Sequence, residues 1–197
     1  MTVLRADAER NLGRILAAAA DAYAELGPDV TIDEIARRAG VGHGTVFRRF
    51  PTKDALRAAV IRARLDELLE RAHELLEKPD AGAALEEFVW AVAESCRRDR
   101  ALFEGVEQCD GFEEVSAAKH ELRDTVDRLI RRAQRAGAVR RGLDARDIGA
   151  LVGAAIQASM HAERSDAWRR YVQVVLDGLR PSGRPLSGLE RDGRLDQ

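Results

Sequence analysis

Cysteine is scarce in this 197-residue chain, with Cys96 and Cys109 its only two. A single pair gives no disulfide framework of the kind that staples small secreted domains, and such usage suits a reducing compartment. Aromatic residues are few at 5%, and Val, Ile and Thr rarely alternate with polar residues, so the signal for half-buried strands is missing. Long apolar runs are missing too. The longest, Ile148 to Met160, has thirteen residues, against the roughly 20 that a membrane-spanning helix needs. Arg5, Asp7, Glu9 and Arg10 occupy the place where a secretory signal has its apolar segment. A cytoplasmic protein without a membrane partner is therefore expected. Excess charge of one sign is absent as well. The net charge of −2 gives no global attraction to a polyanion, so such a partner has to be met by a local patch.

Motifs for catalysis are equally sparse. Glu70 and His73 form one Glu-x-x-His, whereas a carboxylate-bridged di-metal bundle needs two such motifs and two further inward glutamates. His120 and His161 lack a second ligand at useful spacing, and no nucleophile-base constellation is present. Cys96 lies on an apolar stripe, where a free thiol ordinarily serves as a small hydrophobe, which weakens a thiol-sensor reading of Cys96 and Cys109. No enzyme, metal site or cofactor is expected.

What the chain has in quantity is Ala, Leu, Arg and Glu, all good helix formers. The reading is all-α. Leu12, Ile15, Leu16, Ala19, Tyr23 and Leu26 recur at helical spacing up to Gly27-Pro28. Thr31 and Glu34 are spaced as a capping box, opening a helix that ends at Gly40. A short helix follows from Gly42 to Arg49, and Thr52 caps a long one reaching about Glu77. Further stripes run over Leu85–Cys96, Leu102–Val106 and Val115–Ala133. Asp144 caps a helix to about Ala162, and Ser165 caps the last. Residues 181–197, rich in Pro, Gly and charge, are expected to be a disordered tail.

The stretch AGVGHGTVFRRFPTKDAL, residues 39–56, concentrates glycine and cations. From Arg37 to Arg57, Arg37, Arg38, Arg48, Arg49, Lys53 and Arg57 stand against the single acid Asp54. A dinucleotide-binding loop needs its glycines directly after a buried strand and before a long helix. Here a capped amphipathic helix precedes them and a two-turn helix follows, so that reading loses its context. Gly40 instead sits where a helix takes a left-handed C-cap, and Val41 is placed to plug the angle between two helices. Helix, tight turn and short helix make a helix-turn-helix, whose second helix enters the DNA major groove with its first residues at the base edges. Val41, Val46 and Phe50 read as core. Arg37 and Arg38 read equally well as a solvated face or as DNA contacts.

The run TIDEIARRAGVGHGTVFRRFPTKDAL resembles the DNA-binding domain of the tetracycline-repressor (TetR) family over about residues 10–60. That family places an Ala-Gly-Val turn, Gly-Thr, an aliphatic, an aromatic, a Phe and a Lys-acid-x-Leu at this spacing. The resemblance implies an N-terminal three-helix DNA-binding domain (1–55) followed by a helical ligand-binding and dimerisation domain (56–180). It implies base contacts from His43 and Gly44 near Gly42, and phosphate contacts from Thr31, Thr45 and Lys53. Arg48 and Arg49 fall where the family touches phosphate and sometimes bases. The chain departs from the family pattern in three places: Gly42 stands for the usual Ser, Phe47 for Tyr, and Arg49 for His or Tyr.

The run IGALVGAAIQASM is apolar nearly all round, so its helix has two faces to bury. The resemblance implies that this helix and the last one build a four-helix interface between two copies, with Gly149, Val152, Gly153, Ile156, Trp168, Tyr171 and Val175 in it. It also implies an effector cavity between the long helices, for which Trp90, Phe103, Phe112, Leu122, Val126, Gln157 and Met160 are the candidates. Their low charge points to a mainly apolar small molecule. Two functional readings follow. One is a homodimeric repressor on a palindromic double-stranded operator, released by a small molecule. The other keeps the DNA-binding domain and makes the C-terminal region a dimerisation or protein-binding module without a ligand.

Overall fold

Helix signals written into a few residues at a time set the element borders. The computed structural model describes residues 2–99 and 111–181, which hold eight α-helices and no strand. In chain order they are α1 (Thr2–Leu26), α2 (Ile32–Ala39), α3 (His43–Arg49) and α4 (Lys53–Leu76), then α5 (Ala81–Arg98), α6 (Glu113–Arg135), α7 (Ala145–Ser159) and α8 (Ala167–Leu179). The all-α architecture is as the sequence implies. Leu102, Phe103, Val106 and Cys109 lie outside the described residues, as do residues 182–197.

Several caps follow the sequence and two do not. The Thr31 hydroxyl accepts from the Glu34 N–H at 3.2 Å, and Thr52 does the same for Ala55 at 3.0 Å. Glu34, however, turns its carboxylate to Arg37 and Arg38 rather than back to Thr31. Two guanidinium groups attract it more strongly than one backbone N–H. A reciprocal capping box forms instead at α7, where Asp144 accepts from the Asp147 N–H and Asp147 accepts from the Asp144 N–H. Ser165 does not cap α8. Asp166 takes the N-cap position without a side-chain cap bond, its carboxylate being held by Arg164 at 2.9 Å. α7 stops at Ser159, short of Ala162, and the Ser159 hydroxyl donates to the Ile156 carbonyl.

Two hydrophobic cores result. The first gathers Ile15 and Tyr23 of α1, Ile35 of α2, Val46 of α3 and Leu56 and Ile61 of α4, with Val115 and Ala118 of α6 against them. The second joins Leu75 of α4 to Leu85 and Phe88 of α5, Leu129 and Ile130 of α6, Ile148 and Ile156 of α7, and Trp168 and Val172 of α8. Each such fully buried side chain contributes about 1.5–3 kcal/mol. α4 and α6 belong to both cores and so tie them together. Arg132 of α6 strengthens that link by donating to the Leu76 carbonyl at 2.7 Å and to Pro79 at 3.2 Å. It thereby satisfies carbonyls that the C-terminus of α4 leaves open.

Candidate nucleic-acid interface and ligand cavity

The α2–α3 turn is built by one residue. Gly40 has φ +63° and ψ +38°, and its N–H closes onto the Ala36 and Arg37 carbonyls. Val41 follows with a bond to the Ala36 carbonyl at 3.1 Å. A side chain at Gly40 would be strained by that φ and would meet Arg14 Nη2 at 2.6 Å. The turn aims α3 outward. Val46 and Phe50, four residues apart, are buried in the first core, which leaves the opposite face of a seven-residue helix in the open.

That open face carries the residues singled out from the sequence. His43, Gly44, Phe47, Arg48 and Arg49 are exposed, and Thr45 and Lys53 are half-buried. The His43 and Phe47 rings stack with centroids 6.2 Å apart and planes 14° apart, and Phe47 keeps 52% of its surface accessible. His43 Nδ1 lies 2.5 Å from Asp33 Oδ1 of α2. A carboxylate only accepts, so Nδ1 carries the proton and Nε2 is left for an outside partner. Asp33 is a residue that sequence reasoning passed over, because nothing in a spacing of ten residues signals contact across a turn. Gly42 has an ordinary φ of −71° and makes no side-chain cap bond. Thr31 is exposed at the start of α2.

Charge pairing divides the basic patch. Arg37 holds Glu34 through two bonds of 2.8 and 2.6 Å, and Arg38 bridges Glu34 at 2.8 Å and Glu25 at 2.7 Å. The two guanidinium hydrogen bonds, from Arg37 first and Arg38 second, bring the Glu34 carboxyl down to about 2. Arg37 and Arg38 are therefore committed to the protein's own carboxylates. Arg48, Arg49 and Lys53 have no ion pair among the described residues.

A cavity of about 460 Å³ lies between α4, α5, α6 and α7. Leu65 and Leu68 of α4 form one wall, Phe88, Val92 and Cys96 of α5 another, Leu122 and Val126 of α6 a third, and Ile148 and Val152 of α7 the last. Burial, with Asp99 nearby, pushes the Cys96 thiol up to about 11, so it stays neutral and unreactive near pH 7. Lys119, Arg123 and Arg146 also line the cavity. Of the sequence candidates, Leu122 and Val126 are in the wall. Trp90 is not, because it packs edge-on against Trp168 with centroids 6.0 Å apart. Phe112 packs on the first core, and Gln157 and Met160 point to solvent from the end of α7. Among the described residues no group of three or more His, Cys, Asp or Glu is placed to hold a metal. Nor is any of their helices long and apolar enough to cross a membrane.

The interface candidates split between two faces. Val152, Ile156 and Trp168 are buried in their own chain, Trp168 beneath the Arg97 and Arg169 guanidinium groups at 5.4 and 4.8 Å. They follow Ile148 at helical spacing or pack onto that row, so they belong to the inner side. Gly149, Gly153 and Tyr171 are exposed and Val175 half-buried. Alongside them Leu151 and Val174, which no single sequence signal marks, keep 45% and 70% of their surface accessible.

Comparison with known proteins agrees with this arrangement. Residues 15–60 match the family described as bacterial regulatory proteins, tetR family. Residues 80–181 match the transcriptional regulator SbtR-like, C-terminal domain. An uncharacterized HTH-type transcriptional regulator of Mycobacterium tuberculosis is 33% identical over 145 residues, covering 71% of this chain and 75% of that protein. The crystal structure of the TetR transcription regulatory protein from Mycobacterium vanbaalenii superposes with a TM-score of 0.66 at 38% identity, over 90% of this chain and 99% of that one. The TetR transcriptional regulator SCO0520 from Streptomyces coelicolor does so with 0.69 at 26%, over 87% and 99%. The turn at Gly40, the outward α3 and the helical domain behind it are thus those of a helix-turn-helix transcriptional regulator, and the chain belongs to the TetR family.

Proposed function

We propose that this regulator is a homodimeric repressor. Two copies place their α3 helices in successive major grooves of a palindromic operator, and a small, mainly apolar molecule in the cavity releases them. His43 and Gly44 face the base edges, with Phe47 beside them to meet a thymine methyl. Arg48, Arg49, Lys53, Thr45 and Thr31 hold phosphates, which fix the register. Bare glycines at 42 and 44 allow backbone and phosphate to come close, since a Cβ at Gly44 would have nothing within 4 Å.

One observation carries the coupling. α4 is a single helix of 24 residues, ~36 Å long at ~1.5 Å per residue. Lys53 opens it at the DNA face, while Leu65 and Leu68 line the cavity ~18 Å further on. A ligand that spreads the cavity walls tilts α4, and with it the spacing between the two α3 helices. Ligand and operator then favour different dimer geometries, which is a coupling free energy of ~1–3 kcal/mol in typical cases. Residues 1–55 serve as the DNA-binding domain and 56–180 as the ligand-binding and dimerisation domain, joined through this helix. The dimer forms on the outer faces of α7 and α8, where Gly149 and Gly153 keep the surface flat and Leu151, Tyr171 and Val174 supply apolar area. Two half-sites ~34 Å apart or somewhat more then bind one dimer. Occupancy alone blocks transcription and needs no further surface.

A footprint of the full chain on DNA upstream of its own gene, at two salt concentrations, tests this reading. A protected palindrome, weakened steeply by salt, is the expected result. Protection of a single half-site by a monomer would overturn it.

A further inference from the structure

The cavity is apolar except on one side. Its wall contains no Asp or Glu, yet three cations line it: Lys119 and Arg123 on one face of α6, and Arg146 in the first turn of α7. Among the described residues neither Arg123 nor Arg146 has a side-chain hydrogen bond or ion pair. Elsewhere Arg37, Arg62, Arg64, Arg71 and Arg164 are each held by carboxylates, while Arg48 and Arg49 of α3, like these two, are not. Two arginines from different helices, Arg123 half-buried and Arg146 exposed, line one apolar hollow whose wall has no carboxylate, and they make that side positive. A cation would be repelled there, and a purely apolar guest would make no use of either guanidinium group, leaving both to water.

We propose that the effector is an amphiphilic carboxylate, with its apolar body between Leu68, Phe88, Leu122 and Val152 and its head on Arg123 and Arg146. The inference rests on the ligand reading above and adds the head group to it. A planar guanidinium matches a carboxylate through two parallel N–H···O bonds, which a neutral hydroxyl does not reproduce. The hollow of about 460 Å³ is within the ~300–1,000 Å³ common for small-molecule sites. Because Arg123 and Arg146 stand on different helices, the bound head also draws α6 and α7 together. That makes it a direct strain on the frame that holds α4.

The test compares three series of straight-chain probes, of ten and fourteen carbons, each below its micellar concentration: the carboxylate, the alcohol and the ammonium. Dissociation constants are measured on the full-length protein by calorimetry. Occupancy is read independently by NMR as shifts of the Leu68, Leu122 and Val152 methyl resonances, in the cavity wall. The carboxylate is expected to bind at least tenfold more tightly than the alcohol of equal length, and the ammonium most weakly. In the double variant Arg123→Gln/Arg146→Gln the carboxylate is expected to fall to the affinity of the alcohol. The alcohol itself should bind as before, which shows the cavity is intact, and Arg123→Lys/Arg146→Lys should keep part of the preference. Equal binding of carboxylate and alcohol, with the same methyl resonances shifted by both, would overturn the head-group inference and leave the ligand reading standing. Carboxylate preference that survives the double Gln variant would overturn it too. Failure of every probe to bind or to shift those methyl resonances would remove the inference together with the ligand reading.

Discussion

His43 and Lys53 stand a few residues apart and do different work, which makes them separable by experiment. His43 is exposed, stacked on Phe47 and held through Nδ1 by Asp33. Its fixed ring turns Nε2 into a positioned acceptor when neutral. His43→Ala is expected to remove about 1–3 kcal/mol of discrimination at one base position, seen as a flattened preference in a selection from randomised operators. Asp33→Ala should lose part of the same discrimination while binding to non-operator DNA holds or rises, since a negative charge has left the surface. Lys53→Ala behaves otherwise. It should weaken all sequences alike and lower the slope of log K against log salt by about 0.9. An unchanged slope would remove Lys53 from the phosphate contacts.

At the scale of the element, the α2–α3 unit depends on two glycines for different reasons. Gly40 needs its positive φ, while the Arg14 guanidinium that a Cβ would meet is the end of a flexible side chain and can move aside. Gly40→Ala is expected to destabilise the protein by about 1–2 kcal/mol, measured as a lowered urea midpoint at unchanged slope. Gly42 has a φ that any residue adopts, and a Cβ added there would stand 4.0 Å from Thr45 Oγ1. Gly42→Ser should fit and add a few tenths of a kcal/mol as a cap. Glu34 offers a pH signature of its own. Its carboxyl is lowered from an ordinary 4.5 to about 2 by Arg37 and Arg38, so its stabilising contribution is complete above 4.5 and is lost as pH falls towards 2. The difference in melting temperature between the native protein and Glu34→Gln should shrink through that window. A constant difference would mean that the ion pairs contribute nothing measurable at this exposed site.

For the whole molecule, α7 and α8 decide how two copies meet. Ile156 is buried in its own chain and Val174 is largely exposed, so the two positions should fail differently. Ile156→Ala is expected to cost about 2–5 kcal/mol of fold stability with the dimer constant little changed. Val174→Glu should fold normally, dissociate at least tenfold more readily in analytical ultracentrifugation, and lose operator affinity because the half-sites no longer bind as one. The reverse pattern would place the interface elsewhere. Such a contrast was not legible in the sequence. IGALVGAAIQASM is apolar on every side, and periodicity alone does not tell an inner face from an outer one. The packed structure separates Ile148, Val152 and Ile156 from Gly149, Gly153 and Leu151.

The order of residues along the chain was enough to specify most of the described helices, though not the end of α7 or the cap of α8, together with the turn at Gly40 and the short helix that faces outward. The reason is that caps, breakers and helical periodicity act within a few residues, and the resemblance to one family's DNA-binding domain is carried by a contiguous run. Thr31, Thr52 and Asp144 cap where that pattern places them. Which side chains meet across elements was left to the packing of the helices. Packing sent Trp90 to Trp168 rather than into a cavity, gave His43 its Asp33, neutralised Arg37 and Arg38 on Glu34, and brought Arg123 and Arg146 to one apolar hollow. Those contacts depend on how helices cross and on which charges find partners. These are properties of packed surfaces, not of neighbours along the chain.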